Sequence, residues 1–222
     1  MRIGIIGAGH IGGTLTRRLR RLGHEVSVAN SRGPQTLAAL AAETGAQTVT
    51  VAQAPVGAEL LVVTIPERAV PDLPRDLLAQ APPGLVVVDT GNYYPQRDGR
   101  IEEIEQGLPE SRWVERQLQH PVIKAFNTIH AANLMSLGRP RGSPDRLALP
   151  IAGDDASAKA AVLDLVDKLG FDAVDAGGLD ESWRQQPGTP VYGVQLDAAG
   201  VRQALAQASR DRLPQCRAGG GR

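Results

Sequence analysis

Residues 7–12 read G-A-G-H-I-G and combine residue types and spacing that suit the binding of a phosphate group. Gly7 permits a tight turn, Gly9 leaves no Cβ between the backbone and a pyrophosphate, and Gly12 lets a following helix pack closely on the preceding strand. The first N–H groups of that helix, at His10 and Ile11, and its dipole then face the phosphates. The alternative is that the glycines only shape a tight turn.

The position of the glycine motif favours dinucleotide binding over that alternative. A short apolar run from Arg2 to Ile6 precedes the motif and predicts a buried strand. Apolar residues at 11, 15, 19 and 22 follow it with helical spacing, and a second strand is predicted from His24 to Ala29. A glycine motif between a strand and a helix, with a second strand after it, is typical of a dinucleotide site.

Residues Asn30, Ser31 and Arg32 follow the second strand, where the adenosine ribose of a bound dinucleotide must lie. An NAD site would place Asp or Glu here to accept a hydrogen bond from the ribose 2′-hydroxyl. This chain offers no carboxylate, while Arg32 can pair with a 2′-phosphate and Ser31 can donate to it. The sequence therefore favours NADP(H), unless these residues form only a polar turn.

The elements that must position these residues alternate between strands and helices. We predict a Rossmann-type α/β fold, a doubly wound and mostly parallel sheet with a small C-terminal α/β portion. Residues 1–145 would form the NADP-binding domain and residues 146–222 the smaller portion, with a flexible tail from about residue 213. Further strands are predicted at 48–51, 59–65, 84–89, 121–126, 147–152 and 171–174. Further helices are predicted at 34–44, 66–79, 111–119, 127–137, 154–169 and 198–209.

Ligands of open α/β sheets bind at the carboxyl ends of the strands, so the residues just after each strand are candidates for the site. They are Thr64, Ile65, Pro66, Gly91, Asn92 and the segment from Asn127 to His130. Asn127 would lie near the reacting rings, with His130 one turn further along the same helix face. Lys124 and His130 are candidate proton donors. The alternatives are that His130 is an ordinary surface residue and that Lys124 pairs with a carboxylate such as Asp89.

Composition narrows the class of protein. The 222 residues include 24 basic and 24 acidic side chains, so net charge gives no reason to expect nucleic acid or an anionic membrane as a partner. The single cysteine, Cys216, excludes an intrachain disulfide, and the four histidines show no metal-ligand spacing. We expect a cytoplasmic protein, a homodimer without a metal, whose partner is a small-molecule redox acceptor.

Several segments together resemble one family. They are residues 1–32, 61–66 (L-V-V-T-I-P), 122–129 (V-I-K-A-F-N-T-I), 152–155 (A-G-D-D) and 174–177 (V-D-A-G). The chain is similar, to about Tyr192, to the deazaflavin-dependent NADP oxidoreductases, and through them to the cytosolic NADPH domain of six-transmembrane ferric reductases. The resemblance implies hydride transfer between NADPH and a flavin-type ring such as coenzyme F-420. It also implies that residues 127–129 lie beside the rings and that Ser31 and Arg32 hold the 2′-phosphate.

The chain departs from the archaeal members of this family. They have His where Asn127 stands and Pro where His130 stands, and residues 180–187 (D-E-S-W-R-Q-Q-P) have no counterpart in them. Together with residues 92–95, this segment indicates a bacterial branch. Three functions stay open: a deazaflavin or flavin reductase without a protein nucleophile, a reductase of a small carbonyl or imine compound, and a non-catalytic NADPH sensor.

Overall fold

The computed structural model describes residues 1–211, Cys216 and Ala218. Its main feature is a six-stranded sheet in the order β3-β2-β1-β4-β5-β6, in which every neighbouring pair is parallel. The strands are β1 (Arg2–Ile6), β2 (Glu25–Ala29), β3 (Gln47–Thr48), β4 (Leu60–Val63), β5 (Val86–Asp89) and β6 (Val122–Lys124). This order, with helices packed on the strands, is the predicted Rossmann-type α/β fold.

The described residues also form eight α-helices. They are α1 (His10–Arg21), α2 (Ala38–Thr44), α3 (Pro95–Asp98), α4 (Glu102–Glu105), α5 (Glu110–Leu118), α6 (Ala131–Ser136), α7 (Ala156–Lys168) and α8 (Ala198–Ala206). The helix α1 packs on the sheet through Leu15 and Leu19, which are buried in the same core as Ile3 and Ile5 of β1. The predicted apolar face of α1 is confirmed at Leu15 and Leu19, and Ile11 is half-buried, but Leu22 lies just beyond the helix and is exposed.

A second, smaller sheet pairs β7 (Ala148–Ile151) with β8 (Asp172–Asp175) in parallel. It is joined to the main sheet by an antiparallel bridge, in which the N–H of Lys124 donates to the Ala152 carbonyl at 2.8 Å and the N–H of Ala152 donates back at 3.1 Å. One hydrophobic core runs from β1 to β7 and α7. The division of the chain near residue 145 stays a prediction.

Arg18 links α1 to the C-terminal ends of α6 and α7. Its guanidinium lies in a half-buried position on α1 and donates to the Leu134 carbonyl at 2.6 Å and to the Leu169 carbonyl. These two carbonyls lie near the C-termini of α6 and α7. A cation is favoured there because it faces carbonyl groups without a helical partner.

Three predicted elements differ from the structure, and two of the differences lie between β2 and β5. Instead of the strand predicted at 48–51, the structure has the shorter strand β3 at Gln47–Thr48. The chain leaves the sheet after it because Thr50 caps a 3-10 turn at Val51–Gln53. The helix predicted at 66–79 is a 3-10 helix from Glu67 to Asp72. It ends there because Leu73 precedes a proline and takes the extended conformation that this position favours.

The third difference concerns the helix predicted at 127–137, which begins only at Ala131. Phe126 has φ 62°, so the chain turns sharply after β6. His130 is extended at the N-cap position of α6 (ψ 143°). Asn127 and His130 therefore do not share a helix face, and that prediction was wrong. The tail predicted from residue 213 lies outside the described residues apart from Cys216 and Ala218.

Candidate functional site

The glycine turn forms a cradle between β1 and α1. Gly7 has φ 106°, a conformation that glycine adopts without strain. A Cβ on Gly7 would collide with the Thr64 carbonyl, and one on Gly12 would collide with the Gly7 carbonyl, so both positions require glycine. Gly9 caps α1, and no heavy atom lies within 4 Å of the place where its Cβ would be. The open space at Gly9 fits a pyrophosphate at the helix N-terminus.

The turn after β2 is held by its own hydrogen bonds. The Oδ1 atom of Asn30 accepts from the N–H of Arg32 at 3.0 Å, and its Nδ2 donates to Thr36 Oγ1 at 2.9 Å. The side chain of Asn30, which the sequence predicts to bind the cofactor, therefore forms hydrogen bonds within the turn. Ser31 and Arg32 are exposed, and within the described part of the chain the Arg32 guanidinium has no ion pair.

The segment after β4 lies against the glycine turn. The N–H of Thr64 continues the parallel ladder by donating to the Ile6 carbonyl at 2.9 Å, and its own carbonyl faces Gly7. Thr64, Ile65 and Pro66 are half-buried at this edge. The structure thus brings together the residues predicted after β1 and β4. His10 is exposed as the first residue of α1, while Ile11 is half-buried against the core.

Lys124 and Asp89 fix the peptide that follows β5. The Lys124 ammonium is fully buried and donates to Asp89 Oδ2 at 2.9 Å and to the Gly91 carbonyl at 2.7 Å. Asp89 Oδ1 accepts from the N–H of Gly91 at 2.8 Å. Burial is the largest influence and lowers the pKa of Lys124, but the attraction of Asp89, Glu67 and Glu110 together outweighs it and leaves the pKa above its ordinary value. The alternative in which Lys124 pairs with Asp89 is confirmed.

A further buried carboxyl group, that of Glu67, lies beside this pair. Glu67 is 0% exposed, and neither of its oxygens has a hydrogen-bond partner. Burial raises its pKa well above the ordinary value, and the nearby charge of Asp89 adds to the effect. The carboxyl group of Glu67 therefore keeps its proton to a higher pH than an ordinary glutamate does. The sequence analysis did not identify Glu67 as a site residue. The one feature of the sequence that pointed to buried acidic groups was Lys124, a charged residue inside a predicted strand.

The Asn127 side chain is closed into a network of amides. Its Nδ2 donates to Asn92 Oδ1 at 3.1 Å and to the Gln185 carbonyl at 2.7 Å, and its Oδ1 accepts from Gln185 Nε2 at 2.9 Å. Asn92 Nδ2 donates to the Asn127 carbonyl at 3.0 Å. Asn127 is 5% exposed, so its amide positions the two neighbouring segments. Its predicted role beside the reacting rings stays a prediction.

His130 lies at the surface next to the C-terminal portion. Its ring is exposed, and its Nε2 lies 3.5 Å from the place where a Cβ on Gly193 would be. The neighbouring Thr128 carbonyl accepts from the N–H of Gly193 at 3.1 Å. The structure thus places His130 apart from the Lys124–Asp89 pair, facing solvent, where it is accessible to a ligand.

Two tyrosines that sequence reasoning did not pair meet across the site. The hydroxyls of Tyr94 and Tyr192 share a short hydrogen bond, and the Arg97 guanidinium lies 5.0 Å from the centre of the Tyr94 ring. Burial raises the pKa of Tyr192, and the bond to Tyr94 adds to this effect. The Tyr192 phenol therefore stays protonated at neutral pH. The two tyrosines are 98 residues apart in sequence, so no local pattern predicts that they pair.

Two further observations concern metal sites and membrane spans. Within residues 1–211 and the two tail residues described, no group of three or more His, Cys, Asp or Glu side chains is placed to hold a metal ion. Over the same residues, no helix is long and apolar enough to cross a membrane.

Known proteins resemble this chain in sequence and in structure. The Escherichia coli (strain K12) protein YjhV is 44% identical over 79 residues, a match that covers 34% of this chain and 58% of the relative. The chain therefore matches less than two thirds of that relative's length. A hypothetical protein of Sinorhizobium meliloti, SMa0349, superposes with a TM-score of 0.75 at 28% identity, over 88% of this chain and 95% of that one.

A candidate F420-dependent NADP-reductase from Arthrobacter sp. FB24 superposes with a TM-score of 0.66 at 26% identity, over 81% of this chain and 86% of that one. The model of the family described as NADP oxidoreductase, coenzyme F420-dependent, matches residues 2–93, which contain the glycine turn, the Arg32 turn and the edge from Thr64 to Asn92. Residues 2–93 are therefore similar to the family of coenzyme F420-dependent NADP oxidoreductases.

Proposed function

We propose that the protein binds NADP(H) and transfers a hydride between it and a small-molecule acceptor of the deazaflavin or flavin type. The observation that carries the proposal is the open cradle at Gly9, which lies at the N-terminus of α1 and has both neighbouring glycines locked by packing. A bound nicotinamide supplies the hydride, so the chain has only to bind, orient and exclude water.

Each part of the cofactor has a suitable group in the chain. The first N–H groups of α1 face the pyrophosphate, and the exposed Arg32 and Ser31 suit a 2′-phosphate. The residues at 64–66 and 91–92 form the edge on which the nicotinamide would lie. Lys124 acts by fixing the Gly91 peptide and Asn127 by fixing Asn92, so both are positioning residues in this proposal.

The choice of NADP(H) over NAD(H) depends on Arg32. Loss of its charge-assisted hydrogen bond should cost on the order of 1.5–3 kcal/mol of binding free energy for NADPH and almost nothing for NADH. Arg32→Ala should therefore weaken NADPH binding about tenfold or more in a calorimetric titration. Arg202→Ala, a matched change at an exposed position of α8, should leave both affinities unchanged. Equal losses for NADPH and NADH in Arg32→Ala would contradict the assignment.

The nature of the acceptor is tested at His130. With a deazaflavin or flavin acceptor, His130→Ala should mainly raise the KM for the acceptor, because no protein proton donor is needed for the hydride step. With a small carbonyl or imine substrate, the same change should abolish turnover and remove one limb of the pH profile. Tight NADPH binding without turnover of any acceptor would instead favour the sensor.

A further inference from the structure

Three buried carboxyl groups and one ammonium lie together under the segment that follows β5. Glu67 and Glu110 are 0% exposed, and Asp89 and Lys124 are buried as well. The attraction of all three acids raises the pKa of Lys124, as expected of close neighbours. Three carboxylates with one ammonium would leave negative charge uncompensated away from water, so the folded protein favours a proton on one of the three acids.

The hydrogen bonds of the cluster place this proton on Glu67. Asp89 accepts from the Lys124 ammonium, from a serine hydroxyl and from a backbone N–H. Glu110 accepts from the N–H of Tyr93 at 3.1 Å. Hydrogen bonds of this kind stabilise a carboxylate, and in the described part of the chain neither oxygen of Glu67 receives one.

Two further charged groups face Glu67 from α3. Asp98 adds to the negative charge around it, and the guanidinium of Arg97 is attracted to it. These two residues form an ion pair at 2.8 Å, so their effects on Glu67 oppose each other. The pKa of Glu67 is therefore raised chiefly by burial and then by Asp89, with Lys124 acting against them.

Glu67 adjoins both segments of the edge on which the proposed function places the nicotinamide, residues 64–66 and 91–92. It follows Pro66 directly in the chain. A Cβ on Gly91 would lie 2.4 Å from Glu67 Oε1 and 3.0 Å from Asp89 Oδ1, so the carboxyl group of Glu67 packs against the Gly91 backbone. Because water is excluded there, a charge on Glu67 acts on its surroundings with little screening.

We propose that Glu67, through its proton, makes cofactor binding depend on the redox state of the nicotinamide. Glu67 loses the proton when the positively charged ring of NADP⁺ binds, and keeps it when the neutral ring of NADPH binds. The loss breaks the O–H bond of the carboxyl group, delivers H⁺ to the solvent and leaves a carboxylate, and nothing is oxidised or reduced in this step. The inference rests on the proposed function for the position of the ring.

Linkage fixes the direction of the effect. Since the carboxylate of Glu67 attracts the oxidised ring, bound NADP⁺ lowers the pKa of Glu67 relative to bound NADPH. Raising the pH through the range in which Glu67 titrates must then strengthen the binding of NADP⁺ relative to that of NADPH. We expect the ratio of the two dissociation constants to change by about threefold or more over this range.

Titration calorimetry of the full-length protein with NADP⁺ and with NADPH measures both consequences. Repeating each titration in two buffers of different ionisation enthalpy gives the number of protons released per cofactor bound, and a pH series gives the ratio of the dissociation constants. We expect NADP⁺ to release more protons than NADPH. The 2′-phosphate also titrates near neutral pH, but both forms carry it, so its contribution cancels in the difference.

Two matched variants assign the proton to its residue. Glu67→Gln keeps the shape of the side chain but has no proton to release, so both forms should release equal numbers of protons and the ratio should no longer change with pH. Glu25→Gln, the same change at an exposed position at the start of β2, should behave as the wild type does.

The contradicting results are distinct. Equal proton release by the wild type with both forms would overturn the inference and leave the proposed function standing. A difference that persists in Glu67→Gln, or that disappears in Glu25→Gln, would overturn it as well. A wild type that binds neither form of the cofactor would contradict the proposed function and this inference with it.

Discussion

Replacing Lys124 by methionine tests whether its buried ammonium holds the edge of the sheet together. The side chain of Lys124 is 0% exposed and that of Asp89 is 2% exposed, so solvent cannot replace the lost partner. Removing one member of a buried ion pair typically costs about 3–5 kcal/mol, because the other charge is left buried without compensation. Asp89 would keep its bonds from the Gly91 N–H and from Ser111 Oγ, which favours the lower half of that range.

Urea unfolding, followed by circular dichroism, measures this loss directly. Lys168→Met is the matched control, since Lys168 forms an exposed pair with Asp164 on α7 and should lose at most about 0.5 kcal/mol. In a double variant with Asp89→Asn, the two losses should sum to more than the measured total by about 0.5–3 kcal/mol. If Lys124→Met lost no more than Lys168→Met, the ammonium would not be the buried partner of Asp89.

Four further outcomes follow from the same geometry. Glu67→Gln should have the same free energy of unfolding as the wild type below pH 4.5, the ordinary pKa of a glutamate. As the pH rises towards the raised pKa of Glu67 in the folded protein, the variant should become progressively more stable than the wild type, because only the wild type must keep a proton on a buried carboxyl group. Unfolding curves across this pH range measure the difference. Gly91→Ala should cost about 1–3 kcal/mol of unfolding free energy, because the new Cβ would collide with Glu67 Oε1. Asn127→Ala should lower stability by about 1–3 kcal/mol and slow hydride transfer by roughly 10- to 100-fold through misplacement, as single-turnover rates would show. Gly9→Val should abolish NADPH binding in a titration and leave the circular dichroism spectrum unchanged.

The first two strands and the helix between them could be predicted because their signals are local. A short apolar run predicts β1, and apolar residues with helical spacing predict the inner face of α1. Side chains at Gly7 and Gly12, between them, would collide with the backbone. The pairing of Lys124 with Asp89 could also be predicted from the sequence. A charge inside an apolar strand requires a partner, and Asp89 ends the neighbouring strand.

The amide network could not be predicted, because it joins residues far apart in sequence. Asn127 and Gln185 are separated by 58 positions, and no periodicity relates them. The late start of α6 depends on the backbone of Phe126, whose φ of 62° is unusual for a residue with a side chain. The burial of Glu67 could not be predicted either. In the sequence it is an ordinary acidic residue in the first turn of a helix, and only the folded structure shows that it is buried.

Stopped-flow mixing of the protein–NADPH complex with oxidised deazaflavin or flavin tests the central claim most directly. We predict that NADPH absorbance falls in a single turnover, with matching reduction of the acceptor, and that deuterium at the transferred position slows this step. NADH should react far more weakly because it lacks the phosphate that Arg32 would bind. No transfer from NADPH to any deazaflavin or flavin, under conditions where NADPH is shown to bind, would contradict the proposed function.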